Sequence, residues 1–138
     1  MFRFISTSAI IFACIAATSC GNDSPPAAPA ETPVQITETF TGTLNVNGAA
    51  MHTFVTDKGP AQAVATIDSL SPDSAAVVSF IFGTWNGNNC QVILVKDDAT
   101  TGSSLVGTAS AVGSFCVRVS DIGRLTAPTD YSIKVTHF

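Results

Sequence analysis

Few residues in this chain can do chemistry: two histidines, four cysteines, ten carboxylates and one tryptophan in 138 residues. A hydrolase needs a nucleophile beside a base, yet His52 and His137 fall inside strand patterns with neither a GxSxG elbow nor an HExxH pair around them. Both therefore read as half-exposed strand histidines. Neither Cys90 nor Cys116 has a partner at metal-ligand spacing, which argues against zinc. The carboxylates say more. If each connection reverses the chain, the loops carrying Asp73, Asp97, Asp98, Asp121 and Asp130 share one end of the molecule. Hard cations take about six to eight oxygens from such loops, so Asp97, Asp98 and Asp121 are the first metal candidates, with calcium as the cofactor implied. The competing view is that Asp prefers turns and faces water. The other end carries Trp85-Asn86-Gly87-Asn88-Asn89. Trp85, Asn86 and Asn88 there could stack on a sugar face and hydrogen-bond its hydroxyls, or Trp85 could cap the core over a positive-φ turn.

The elements that must position these residues are strands. From Ile36 onward the apolar residues repeat with period two or in short runs, punctuated by Gly, Asn, Asp and Pro, and no helix-length window has a 3.6 period. The pattern predicts strands over 37–46, 50–56, 62–69, 76–84, 90–96, 104–109, 114–120 and 130–137. Phe80, Phe82, Val92, Leu94, Phe115, Val117, Val119, Tyr131, Ile133 and Val135 are the predicted core, with Ser79, Ile81, Cys116 and Arg118 among the residues out of phase with it. Asn47-Gly48 and Asn86-Gly87 are the strongest turn signals. At the first, a two-residue loop sets Met51 and Val55 beside Leu44, whereas a longer one sets His52 and Phe54 there; the larger Phe54 favours the longer loop. About eight short strands without helices make an all-β, antiparallel β-sandwich.

Phe40-Thr-Gly-Thr-Leu44, His52-Thr-Phe54 before Lys58-Gly59, Ala63 to Pro72, Gly113-Ser-Phe115-Cys-Val117-Arg-Val119 and Tyr131-Ser-Ile133-Lys-Val135 carry a family resemblance. Together they resemble the bacterial pre-peptidase C-terminal domain, a jelly-roll-like sandwich of secreted proteins, over nearly all of 36–138. The departures are the lack of an accompanying peptidase and Pro128-Thr129-Asp130 before Tyr131, where glycine is more usual. The resemblance implies an accessory or binding module of the envelope, some relatives of which bind calcium or extracellular polymers.

The first 35 residues read as an address. Met1 to Ser19 has a short start with Arg3, an uncharged apolar stretch from Ile5 to Ala17, and small residues before Cys20. This resembles a bacterial lipobox with Ala17 in place of the usual Leu, and it makes Cys20 the lipidation site. Cys14 is a rival, and an ordinary signal-peptidase cut near Ala17 to Gly21 would instead release a secreted protein. Gly21 after Cys20 matches lipoproteins sent on to the outer membrane of Gram-negative cells. Residues 21–35 hold Pro25, Pro26, Pro29 and Pro33 with a single large apolar residue, Val34, so they cannot bury a core. They read as a tether about 45 Å long if extended at about 3.1 Å per residue.

With Cys20 acylated, Cys90 and Cys116 remain as an even pair in an oxidising compartment, which predicts one disulfide. Because Cys116 is out of phase with Phe115 and Val117, the bridge is expected on an outer or edge face. A formal charge of -4 without a Lys/Arg cluster excludes nucleic acid as a natural partner. Mean hydropathy is high at +0.37, yet no apolar run after residue 20 approaches the roughly 20 residues that span a bilayer. The expected partners are the membrane, through the lipid, and a polysaccharide or protein polymer. Three function classes follow: a non-catalytic envelope lipoprotein displaying a binding module, a purely structural envelope component, and a small secreted hydrolase.

Overall fold

The computed structural model describes residues 33–138. The signal-like segment, the Cys20 site and most of the proline-rich stretch lie outside the described residues. The strands are β1 (Ile36–Leu44), β2 (Ala49–Thr56), β3 (Ala61–Ser71), β4 (Val78–Trp85), β5 (Cys90–Ala99), β6 (Ser104–Ala109), β7 (Gly113–Ser120) and β8 (Thr129–His137). They form two four-stranded antiparallel sheets, β1-β8-β3-β6 (sheet A) and β2-β7-β4-β5 (sheet B). This is the strand order of a double-sheet jelly roll. The expected all-β antiparallel sandwich of eight strands is the fold observed.

Alternation builds the core. On β8, Tyr131, Ile133, Val135 and His137 are buried while Asp130 and Lys134 are exposed; β3 buries Ala63, Ala65, Ile67 and Leu70. The pairing of β3 with β8 shifts between Ile67 and Ser69, so Leu70 returns to the core after an extra residue. Phe54, Phe82 and Phe115 pack ring to ring between the sheets, with centroids 5.8 to 5.9 Å apart.

Two expectations about facing change. Val92 is 56% exposed, not core. The register of β4 against β5 shifts between Phe82 and Gly83, pairing Phe82 with Leu94 but Gly83 with Val92, so Val92 loses the inward phase that Leu94 keeps. Conversely, Ile81 and Cys116 are buried although out of phase with the core. Asn47-Gly48 also does more than close a hairpin. His52 and Phe54 do share the inward side with Leu44, but β1 and β2 belong to different sheets, so the turn carries the chain from one sheet to the other. Asn47 takes φ 56° there, and the Gly48 N–H donates to the Asn45 carbonyl at 2.8 Å.

Candidate functional site

β1 and β2 are sheet edges along the same side of the sandwich, and their inward residues meet those of β8. Gly42 makes this possible: a Cβ at that position would lie 2.6 Å from the Tyr131 hydroxyl, so the missing side chain is where the phenol rests. Tyr131 shares a 2.8 Å hydrogen bond with His52 Nε2, and the imidazole stacks on Phe40 at 4.8 Å. Burial lowers the His52 pKa and raises that of Tyr131, which keeps both groups neutral near pH 7.

His137 is 2% exposed, deeper than its strand pattern suggested. Its Nε2–H donates to Glu38 Oε1 at 2.8 Å, tying β8 to β1. Its Nδ1 and the Thr56 hydroxyl are buried without a protein partner. Each imidazole thus has its Nε2 on a phenol or a carboxylate instead of a serine or threonine hydroxyl. These bonds position strands: a polar link between sheets at His52 and an edge-strand link at His137.

The strand register leaves the acids that the sequence grouped at one end of the sandwich, but each has its own partners. Asp97 and Asp98 lie within β5, not in the following loop. Asp97 accepts from the Ser79 hydroxyl at 2.7 Å, whereas Asp98 sits 3.0 Å from Lys96, whose hydrogen bond holds the Asp98 carboxyl below its ordinary range. The register of β4 against β5 shifts between Val78 and Phe80, so Asp97 and Asp98 fall at a break in the ladder and their carboxylates take separate partners. Asp121 is 8% exposed and serves the backbone. Its oxygens accept N–H groups from Asn47 (2.8 Å), Arg124 (2.8 Å) and Leu125 (3.0 Å), and its own N–H donates to Gly48 at 2.9 Å. The Asn47 N–H is the main cause of its depressed pKa. Asp73 accepts from Ala75 N–H and Asp130 from the Thr43 hydroxyl. Among the described residues no three His, Cys, Asp or Glu side chains gather as a metal-holding group.

Asn86 is committed to its own turn, its side-chain oxygen accepting from Asn88 N–H at 3.0 Å and Asn89 N–H at 2.7 Å, while Gly87 takes φ 93°. Trp85 is half-buried and Asn88 exposed. Directly after this turn, Cys90 is joined to Cys116 with Cα atoms 5.8 Å apart. The partners belong to β5 and β7, which flank β4, so the bridge crosses β4 at Gly83. A Cβ on Gly83 would run into the Gln91 carbonyl oxygen and lie 3.1 Å from Cys90 Sγ. The start of β5 therefore folds over the outer face of sheet B, which explains why Cys116 is buried there. The disulfide lies within one sheet on its outer side, as its phase predicted.

One feature was not singled out from the sequence. Thr37, Thr39, Thr41 and Thr43 repeat with period two along β1 and face outward on sheet A. Their β8 partners are Thr136, Lys134, Ser132 and Asp130. Hydroxyls bond across strands at Thr37–Thr136 (3.1 Å), Thr43–Asp130 (2.6 Å) and Thr66–Ser104 (2.7 Å), and Lys134 pairs with Asp68 at 2.8 Å. The Thr-x-Thr run was the available signal, although β-branched residues suit any strand equally well.

No protein-family model matches the chain, and no curated protein sequence does. Solved structures that share its architecture include the following two. One is the Aeromonas hydrophila PliG, a periplasmic inhibitor of g-type lysozyme, with TM-score 0.53 and 14% identity over 74% of this chain and 86% of that one. The other is the Yersinia pseudotuberculosis-derived mitogen, with TM-score 0.54 and 18% identity over 75% of this chain and 86% of that one. At such identities the likeness is one of fold: the chain is a small β-sandwich of the same build as these two proteins.

Proposed function

We propose that this protein is a non-catalytic binding module displayed at the bacterial cell envelope. Lipid on Cys20 holds it to the membrane, and the proline-rich stretch acts as the tether. Two or three acyl chains at one cysteine give stable anchoring without any contribution from the fold. The pre-peptidase C-terminal resemblance supports the same accessory role.

The observation that carries this reading is how the reactive side chains are used. His52 and Tyr131 are engaged with each other, His137 with Glu38 and Asp121 with the backbone, so these groups, which could run acid–base chemistry, hold the fold together. What stays accessible is strand faces and loops on a rigid frame, the part of a sandwich that diverges for recognition. A protein partner is the second reading. It is favoured by the fold shared with PliG, whose partner is a g-type lysozyme.

The test uses the full-length protein in three assays: binding to an array of envelope glycans, inhibition of g-type lysozyme, and product analysis after incubation with each bound glycan. The expected result is saturable binding or inhibition with no turnover. Turnover that is lost in His52→Gln would replace this reading with a catalytic one. Metabolic labelling with palmitate should mark the wild type and not Cys20→Ser; equal labelling of both would refute the anchor.

A further inference from the structure

We infer that the outer face of sheet A carries a saccharide-binding site at its Thr43 end; the inference rests on the binding-module reading and gives it a ligand class. An open cavity of about 370 Å³ lies there, and the polar groups around it are Thr41, Thr43, Ser69, Ser71, Asp130 and Ser132. They form a grid across three adjacent strands. Thr41, Ser132 and Ser69 make one row, and Thr43, Asp130 and Ser71 the next. With strands about 4.8 Å apart and alternate residues about 6.8 Å apart, the grid covers about 10 by 7 Å, the footprint of one or two sugar rings.

The donor set points to a neutral polyol. Five hydroxyls both donate and accept, and the one carboxylate only accepts. Thr43 occupies Asp130 Oδ1 at 2.6 Å, and the exposed carboxylate lining the cavity keeps Oδ2 to accept from a ligand. Two adjacent sugar hydroxyls can both donate to that oxygen while accepting from the serines. Other occupants fit less well. A calcium ion wants several carboxylates, and only Asp130 lines this cavity. A protein hot spot wants a desolvated aromatic or Arg pocket, whereas Tyr131 is 5% exposed beneath the grid. The register shift that brings both Ser69 and Ser71 out beside Asp130 and Ser132 is a property of the fold, so the grid is preformed.

A shallow polar site competes with water, so one sugar should bind in the millimolar range and a polymer more tightly through repeated engagement. The test is calorimetric titration of the full-length protein with maltohexaose, cellohexaose and xylohexaose, and native gel retardation by the matching polymers. Polyethylene glycol, which has almost no hydroxyl donors, serves as control. Expected is binding to at least one saccharide and none to the polyether, weakened about tenfold or more by Asp130→Asn, the factor for losing one charge-assisted hydrogen bond. Ser132→Tyr, which fills the cavity, should abolish binding with the melting temperature kept. Should either variant unfold, Thr41→Val and Ser71→Ala provide the same reading. Absence of binding to all three saccharides overturns the site, as does binding that survives Ser132→Tyr or is lost in Trp85→Ala. Lysozyme inhibition with no saccharide binding, or glycan binding elsewhere on the molecule, would overturn this site and leave the binding-module reading standing.

Discussion

On sheet A, the outward residues Thr41, Thr43, Ser71 and Asp130 are exposed to water, whereas on sheet B the outward residues Ser79, Ile81 and Cys116 are buried. Both faces belong to four-stranded sheets packed on the same core, so the sheets alone do not explain the contrast. What differs is the strand beside β4. The start of β5 folds back over Gly83 and is fixed to β7 by Cys90–Cys116, and this covers part of sheet B. Nothing comparable ties strands together over β8 among the described residues. Stability has therefore been invested in one outer face, and the other is free to vary in chemistry.

The largest test of that contrast is removal of the disulfide. Cys90→Ser with Cys116→Ser should cost about 2 to 4 kcal/mol in a denaturant titration, as expected for releasing a loop of about 27 residues. Hydrogen exchange should quicken first in β5 and at Ile81. Equal quickening on sheet A would mean that the covering is not local.

Gly83→Ala should cost about 1 to 3 kcal/mol, because the new methyl group falls on the Gln91 carbonyl and the backbone must move. The same substitution made without the disulfide should cost less, since β5 can then lift away. The coupling between the two is measurable as a double-mutant cycle. Strict additivity would contradict the crossing described above.

Two groups join the sheets and so should weaken both faces together. Asp121 fastens the turn between β1 and β2 to the loop after β7, and Asp121→Asn should lower the melting temperature by several degrees. Its folded pKa is depressed below 3.8, so its contribution is complete above that value and is lost as pH falls through the folded one. His52 acts at milder acidity. Burial lowers its folded pKa below 6.5, so the unfolded chain binds the proton more readily and stability declines as pH falls from about 6.5 toward the folded value. A His52→Gln variant should lack that part of the pH dependence in melting scans from pH 7 to about 5.

The sequence was most legible where period two was unbroken. The eight strands, the sandwich and the outward phase of Cys116 all follow from alternation in runs such as Tyr131-Ser-Ile-Lys-Val135. It was least legible where backbone irregularity or pairing between distant strands decides. Val92 could not be placed without the register shift at Gly83, and Asp97 and Asp98 looked like loop residues because their charge hides a strand that continues to Ala99. The backbone role of Asp121 was hidden because a carboxylate among turn residues reads the same whether its partners are cations or N–H groups. The grid on sheet A was invisible for another reason. Thr41, Ser132 and Ser69 meet only through the strand order β1-β8-β3, which local sequence does not encode.

The smallest expected effect is the sharpest for the comparison. Thr41→Val keeps the β-branched shape and the strand preference and removes only an outward hydroxyl on an exposed face. Its stability should stay within about 0.5 kcal/mol of the parent, the usual range for surface changes away from caps and networks. The conservative change Ile81→Val on sheet B, which shortens a side chain 9% exposed on the partly covered outer face, should cost about 0.5 to 1.5 kcal/mol. Both substitutions sit on outward positions of the same sandwich, so a difference between them isolates the effect of the cover. If Thr41→Val cost as much as Ile81→Val, its hydroxyl would be part of the fold, and the open face of sheet A would be as structural as the closed one.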